Sequence, residues 1–245
     1  MHILAIDTAA ATLSAAVLED STVRAEVFLN NGENHSVWLL PAIKHVYDLT
    51  GTSPLNTDLF VCTHGPGSFT GVRIAVSTIK GLAMAANKPV VGISTLEALA
   101  ANIIIPSLTV HAMLDAQGGK IYAAAYQMGM EMRPQQLDEE RLIDVEFFIS
   151  SLSSRGKGLL IGSGALKYAE LINKLFPKAL IAPPEISHIR AGTVGLLGLK
   201  KFCLDETSDF LAIAPRYLRL SEAERKLGTP AAGLNKSVDS SRYFI

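Results

Sequence analysis

A chain that starts the same pattern twice has few folds open to it. Asp7 ends the first apolar run of AIDTAAATLSAAV and Asp115 ends its counterpart in MLDAQGGKIYAAAY; a short polar turn and a strand of small residues follow each. Further on, LLIGSGALKYAELI repeats the strand, Gly-X-Gly and helix order of FVCTHGPGSFTGVRIAV. Such an echo describes two duplicated α/β halves.

Within the first half, HILAIDTA, LSAAVLED and VRAEVFLN are short apolar or alternating runs with tight polar connections, the pattern of an antiparallel meander. HSVWLLPAIKHVYDL has helical periodicity with Leu39, Ile43 and Val46 on one face, and Pro41 inside it is expected to delay or kink the first turns. DLFVCTHG reads as a buried strand leading into a glycine-rich turn, followed by a helix from about Gly71 to Asn87, the strand PVVGIS and a helix from Thr95. In the second half, LTVHAMLDAQGGKIYAAAYQM gives two strands around a polar glycine turn, and HIRAGTVGLLGLKKF is its closing helix. The halves divide near Ile103 to Leu108, into 1–106 and 107–220, and the polar stretch 221–245 reads as a poorly ordered or loosely docked tail.

Composition narrows the function. Of 245 residues 49% are hydrophobic and 18% charged, which fits a compact protein with apolar surface to spare for a partner. Lys and Arg number 22 against 23 acidic residues, which argues against a surface built to neutralise many nucleic-acid phosphates. The two cysteines, Cys62 and Cys203, support neither a disulfide framework nor a zinc site, and a reducing cytoplasm is expected. The N-terminus lacks a basic leader and meets Asp7 early, so neither a signal peptide nor an anchor is expected; no uninterrupted apolar run approaches the roughly 20 residues of a membrane span.

The glycine-rich turn HGPGSFTG invites a phosphate-binding reading. A P-loop needs Lys and Ser or Thr directly after its last glycine, but Val72 and Arg73 follow Gly71. Gly65, Gly67 and Gly71 also miss the dinucleotide spacing, and no acidic residue lies between them and Glu97. Weak anion binding at Gly67 and Ser68, by free amides of Ser68 to Gly71, stands against a plain strand-to-helix turn. Asp7 and Asp115 raise a similar choice: a paired site for a metal-bound phosphate, or two carboxylates that each cap their own turn. The six histidines are scattered without a metal-binding pair, no Gly-x-Ser-x-Gly elbow exists, and neither cysteine sits beside a base, so no catalytic residue is expected.

The helices carry more. Val37, Trp38, Leu39, Leu40, Ala42, Ile43, Val46, Tyr47 and Leu49 leave the first helix little polar face, although one sheet covers only one side. In the second, Ile74, Thr78, Gly81 and Ala85 line up small residues beside the stripe Val72, Val76, Ile79, Ala83 and Ala86. A partner interface built from both helices is one reading; burial inside the chain is the other.

ILAIDTA, HSVWLLP, GPGSFTGVRIAVSTIKGLA, GISTLEALA, DAQGGKIYAA and PRYLRLSEAE together resemble the TsaB (YeaZ) family, from Ile3 to about Glu224. The resemblance implies an actin-like, Hsp70-like ASKHA fold of two duplicated α/β subdomains. It implies a non-catalytic subunit of the tRNA threonylcarbamoyladenosine system, where TsaD is the transferase acting on the adenosine beside the anticodon and TsaE is the ATPase. It further implies a heterodimer with a TsaD homologue, a homodimer when alone, tRNA contact mainly through the complex, and no tightly bound cofactor, with weak ATP or ADP binding at most. The shared surface would comprise Val37, Leu39, Leu40, Ile43 and Tyr47 of the first helix and Arg73, Ile74, Ser77, Lys80 and Gly81 of the second. Val37 stands where the family usually has Glu, and Gln117 where it has Arg, which weakens a phosphate role around Asp115. The rival readings are an ASKHA-type ATPase or sugar kinase using Asp7 and Asp115, and a metallopeptidase, for which metal ligands are missing.

Overall fold

The computed structural model describes residues 1–129, 133–153, 158–207 and 210–219; the 221–245 tail lies outside the described residues. The meander is present as β1 (His2–Asp7), β2 (Leu13–Glu19) and β3 (Thr22–Leu29), joined in one sheet by β4 (Leu59–Thr63) and β5 (Val90–Ile93) in the order β3-β2-β1-β4-β5. β1 pairs antiparallel with β2 and parallel with β4. Both β1 and β4 are continuous apolar runs because helices cover both faces of the sheet there.

One face carries α1 (His35–Thr50) and α2 (Phe69–Ala86), which are in contact and share a core with Leu4, Ile6, Val17 and Phe60. Pro41 neither delays nor ends α1: the helix starts at His35, six residues before it, and Pro41 is exposed while Leu39, Ala42, Ile43 and Val46 anchor the opposite side. α2 starts at Phe69, two residues ahead of expectation, with Ser68 as N-cap and Asn87 as a left-handed C-cap at φ 52°. By length and composition α2 is apolar enough to cross a membrane, yet Val72, Ala75, Val76, Ile79 and Ala83 pack against the sheet as a core stripe.

The second sheet contains β6 (Thr109–Asp115), β7 (Lys120–Met128), β8 (Pro134–Gln136), β9 (Arg141–Asp144), β10 (Leu159–Ile161) and β11 (Leu180–Ile181). Its order is β11-β10-β6-β7-β8, with β9 also on β7. α3 (Thr95–Ala100) packs against β6 and β7, while α4 (Val145–Ser153), α5 (Ser163–Lys167) and α6 (Ala169–Leu175) belong to the outer side.

The closing helix α7 (Ala191–Cys203) follows the second sheet in sequence but lies on the first. Its glycines make this possible. A Cβ at Gly195 would meet Leu18 Cδ1 at 2.4 Å, and one at Gly198 would meet Val61 Cγ2 at 2.5 Å. The helix backbone therefore sits directly on the sheet, and α3 and α7 together carry one apolar core from Leu18 and Val61 through Leu96 and Val194 to Ala112 and Tyr122. The duplicated α/β halves form an ASKHA-type fold.

Candidate functional site

The glycine-rich turn is filled by the protein itself. Ser68 N donates to the Ala9 carbonyl at 2.8 Å, Thr8 Oγ1 donates to the Gly71 carbonyl at 2.7 Å, and Gly71 N donates to Ser68 Oγ at 3.2 Å. Two of the amides expected to be free anion donors are thus consumed. A Cβ at Gly67 would fall 2.3 Å from Ala9 O, and one at Gly65, where φ is 114°, 2.3 Å from Arg216 O. These glycines let three backbone segments meet, which accounts for the turn without a phosphate.

Asp7 and Asp115 both make the Asx-type bond, to Ala9 N and Gln117 N respectively, each at 3.2 Å. Beyond that they diverge. Asp7 is fully buried; it accepts from Thr63 Oγ1, while its Oδ2 has no partner. Burial pushes its carboxyl up to about 7, against the pull of the Thr63 hydroxyl and the Ala9 amide. Asp115 is partly exposed and held by Lys167 Nζ at 2.7 Å and Tyr168 Oη at 3.3 Å. Among the described residues no hydrogen bond or ion pair joins the two aspartates, and no group of three or more His, Cys, Asp or Glu is placed to hold a metal.

The outer side of α1 and α2 is the largest concentration of expected site residues. Val37 and Leu40 are each 59% exposed, Trp38 is exposed beside them, and on α2 Ser77, Gly81 and Met84 face outward with Ile74 half-buried. Trp38 and Met84 were not among the expected contacts, although their offset from the core stripe marks the outward face. Three expected contacts are corrected: Leu39, Ile43 and Tyr47 are buried against the first sheet, and Tyr47 Oη shares a hydrogen bond with Thr57 Oγ1 at 2.7 Å. On α1, positions 39, 43, 46 and 47 form the stripe that meets the sheet.

Arg73 and Lys80, expected at the partner surface, stay at least partly accessible there and are also engaged by the chain's own C-terminal segment. Lys80 Nζ donates to the carbonyls of Leu211 and Ile213, both at 3.1 Å. Arg73 Nε donates to Tyr217 Oη at 2.9 Å, its guanidinium lies 4.0 Å from the Phe69 ring centre, and Phe69 stacks on Tyr217 at 4.3 Å. This strap crosses α2 and leaves the apolar strip above it open.

The family model described as TsaD, tRNA N6-adenosine threonylcarbamoyltransferase, matches residues 22–157. The tRNA threonylcarbamoyladenosine biosynthesis protein TsaB of Bacillus subtilis is 31% identical over 227 residues, covering 92% of this chain and 97% of that one. A crystal structure of a Pseudomonas aeruginosa protein described as similar to peptidase YEAZ superposes with TM-score 0.76 at 26% identity, covering 89% of this chain and 99% of that one. Component A of (R)-2-hydroxyglutaryl-CoA dehydratase from Acidaminococcus fermentans shares the fold alone, with TM-score 0.50 at 11% identity over 83% of this chain and 99% of that one.

Proposed function

Because this chain belongs to the TsaB (YeaZ) family of tRNA threonylcarbamoyladenosine biosynthesis proteins, we propose that it acts in that modification system as the non-catalytic subunit, docking on a TsaD homologue through the outer faces of α1 and α2. The observation that carries this reading is the strip of Val37, Trp38, Leu40 and Met84, exposed on two helices whose other sides already fill the core. Covering what remains exposed of these side chains would contribute part of the roughly 1.5–3 kcal/mol that full burial of a large apolar side chain brings, which favours association. The match to a TsaD model supports a partner of like fold, and a face that pairs with a relative can also pair with itself, giving a homodimer when the chain is alone.

In this reading ATP is used by the complex with a TsaE homologue in the cytoplasm, tRNA is met mainly through TsaD, and this chain holds any nucleotide weakly. Reconstituting the modification reaction from a TsaD homologue and a TsaE homologue, with and without this protein, tests it. Full activity without this chain would remove the proposed role.

A further inference from the structure

The apolar strip is edged by charge of one sign. Arg73, Ser77, Lys80 and Met84 recur at helical spacing along one side of α2, where Lys80 is half-buried and the other three are exposed. Arg73 spends its Nε on Tyr217 Oη at 2.9 Å, and Lys80 its ammonium on the carbonyls of Leu211 and Ile213, both at 3.1 Å. Hydroxyl and carbonyl partners fix these heads without cancelling their charge, and both heads keep further N–H donors. Among the described residues neither has a carboxylate within ion-pair distance.

No neighbouring segment supplies the missing charge. The sequence has no Asp or Glu from Leu59 to Leu96, and the strap from Phe210 to Arg219 has none either; Asp48, alone on α1, is taken by Lys44. Phe210 and Ile213 anchor the strap in the core that α2 shares, while Leu211 stays 70% exposed and adds apolar surface beside Lys80.

Association through this strip takes water from both cations, which is costly unless the partner brings carboxylates. A second copy, paired through the same surface about a twofold axis, brings two more cations and no unpaired carboxylate from α1, α2 or the strap. Two cations beside an apolar strip are also too few to hold a nucleic-acid backbone. Building on the docking role proposed above, we infer that the α2 face selects a heterologous protein partner, one whose apolar helical surface carries carboxylates opposite Arg73 and Lys80. Self-pairing is the weaker, charge-opposed alternative.

Sedimentation velocity of the full chain, alone and with a TsaD homologue, at about 0.1 M and about 1 M sodium chloride tests this, because the screening length falls from about 10 Å to about 3 Å between them. At the higher salt the mixed complex should weaken about threefold or more, and self-association should tighten. The double variant Arg73→Gln with Lys80→Gln keeps hydrogen-bond donors for the strap and removes both charges. At about 0.1 M salt it should bind the homologue about threefold or more weakly than wild type, yet pair with itself more tightly. A loosened strap would not produce these opposite shifts, and melting curves confirm that the variant is folded. A mixed complex indifferent to salt and to the double variant, self-association weakened by the double variant, or a wild-type homodimer tighter than the mixed complex at low salt would overturn the charge assignment and leave the docking role in place. No mixed complex at either salt concentration would overturn both.

Discussion

Thr8 and Gly71 are in backbone contact: the Thr8 hydroxyl donates to the Gly71 carbonyl at 2.7 Å, and a Cβ on Gly71 would lie 2.0 Å from the Thr8 carbonyl oxygen. The turn after β1 and the first turn of α2 therefore lock together through a position that accepts no side chain. Gly71→Ala should lower stability by about 1–3 kcal/mol by forcing two backbones apart. Gly81 lies on the same helix, and a methyl group there would meet nothing within 4 Å, so Gly81→Ala should raise stability by about 0.5–1 kcal/mol. Urea midpoints of the two variants would move in opposite directions.

Two adjacent leucines separate the core from the proposed docking face. Leu39 is 1% exposed and Leu40 59%. Leu39→Ala should cost about 2–5 kcal/mol of stability. Leu40→Glu should change stability little, within about 0.5 kcal/mol, while reducing co-purification with a TsaD homologue at least tenfold. Retention of the complex by Leu40→Glu would move the docking surface elsewhere.

Buried Asp7 and His64 give opposite pH dependences. The folded Asp7 carboxyl, at about 7, binds its proton more tightly than an unfolded one at about 3.9, so its contribution to stability is complete in acid and is lost as pH rises through 7. Folded His64, at about 4 against about 6.5 unfolded, adds stability that is complete above 6.5 and is lost as pH falls to 4. Between roughly 4 and 6.5 the two slopes oppose each other at about 1.4 kcal/mol per pH unit. Asp7→Asn should expose the rising limb of His64 in that window and gain about 2–4 kcal/mol relative to wild type at pH 8. Stability curves that run parallel for wild type and variant across pH 4 to 8 would contradict the assignment.

The repeat and the meander were legible because strand alternation and glycine punctuation are local signals. The family motifs likewise lie in contiguous stretches. The exposed apolar strip of α1 was legible only by helix, since with apolar residues from 37 to 40 and at 42, 43, 46, 47 and 49 the sequence does not reveal that 39, 43 and 47 meet the sheet while 37, 38 and 40 do not. The engagement of Arg73 by Tyr217 spans 144 positions, and the return of α7 to the first sheet is a choice between two apolar surfaces; no local pattern encodes either. The pocket that brings Glu97, Glu140, Lys201 and Arg216 together was missed for the same reason: these residues come from distant segments of the chain.

Glu140 adds a polar tie between the halves beside their shared apolar core, and the energetics of that residue are testable. Its side chain is 1% exposed, tied to Ser94 of the first half, Tyr126 of the second and Arg216 of the strap. A carboxylate so buried needs its cation, because hydroxyl donors alone do not repay the loss of water. Arg216→Met should therefore destabilise by about 2–4 kcal/mol, less than the removal of a fully buried Arg because its own head is partly exposed. Glu140→Gln removes the charge that Arg216 balances while keeping an oxygen for the two hydroxyls. The double variant Glu140→Gln with Arg216→Met should then recover at least half of the single Arg216→Met loss, a coupling that a denaturant double-mutant cycle measures directly. Additive losses would show that the hydroxyls, not the ion pair, hold the halves together at this point.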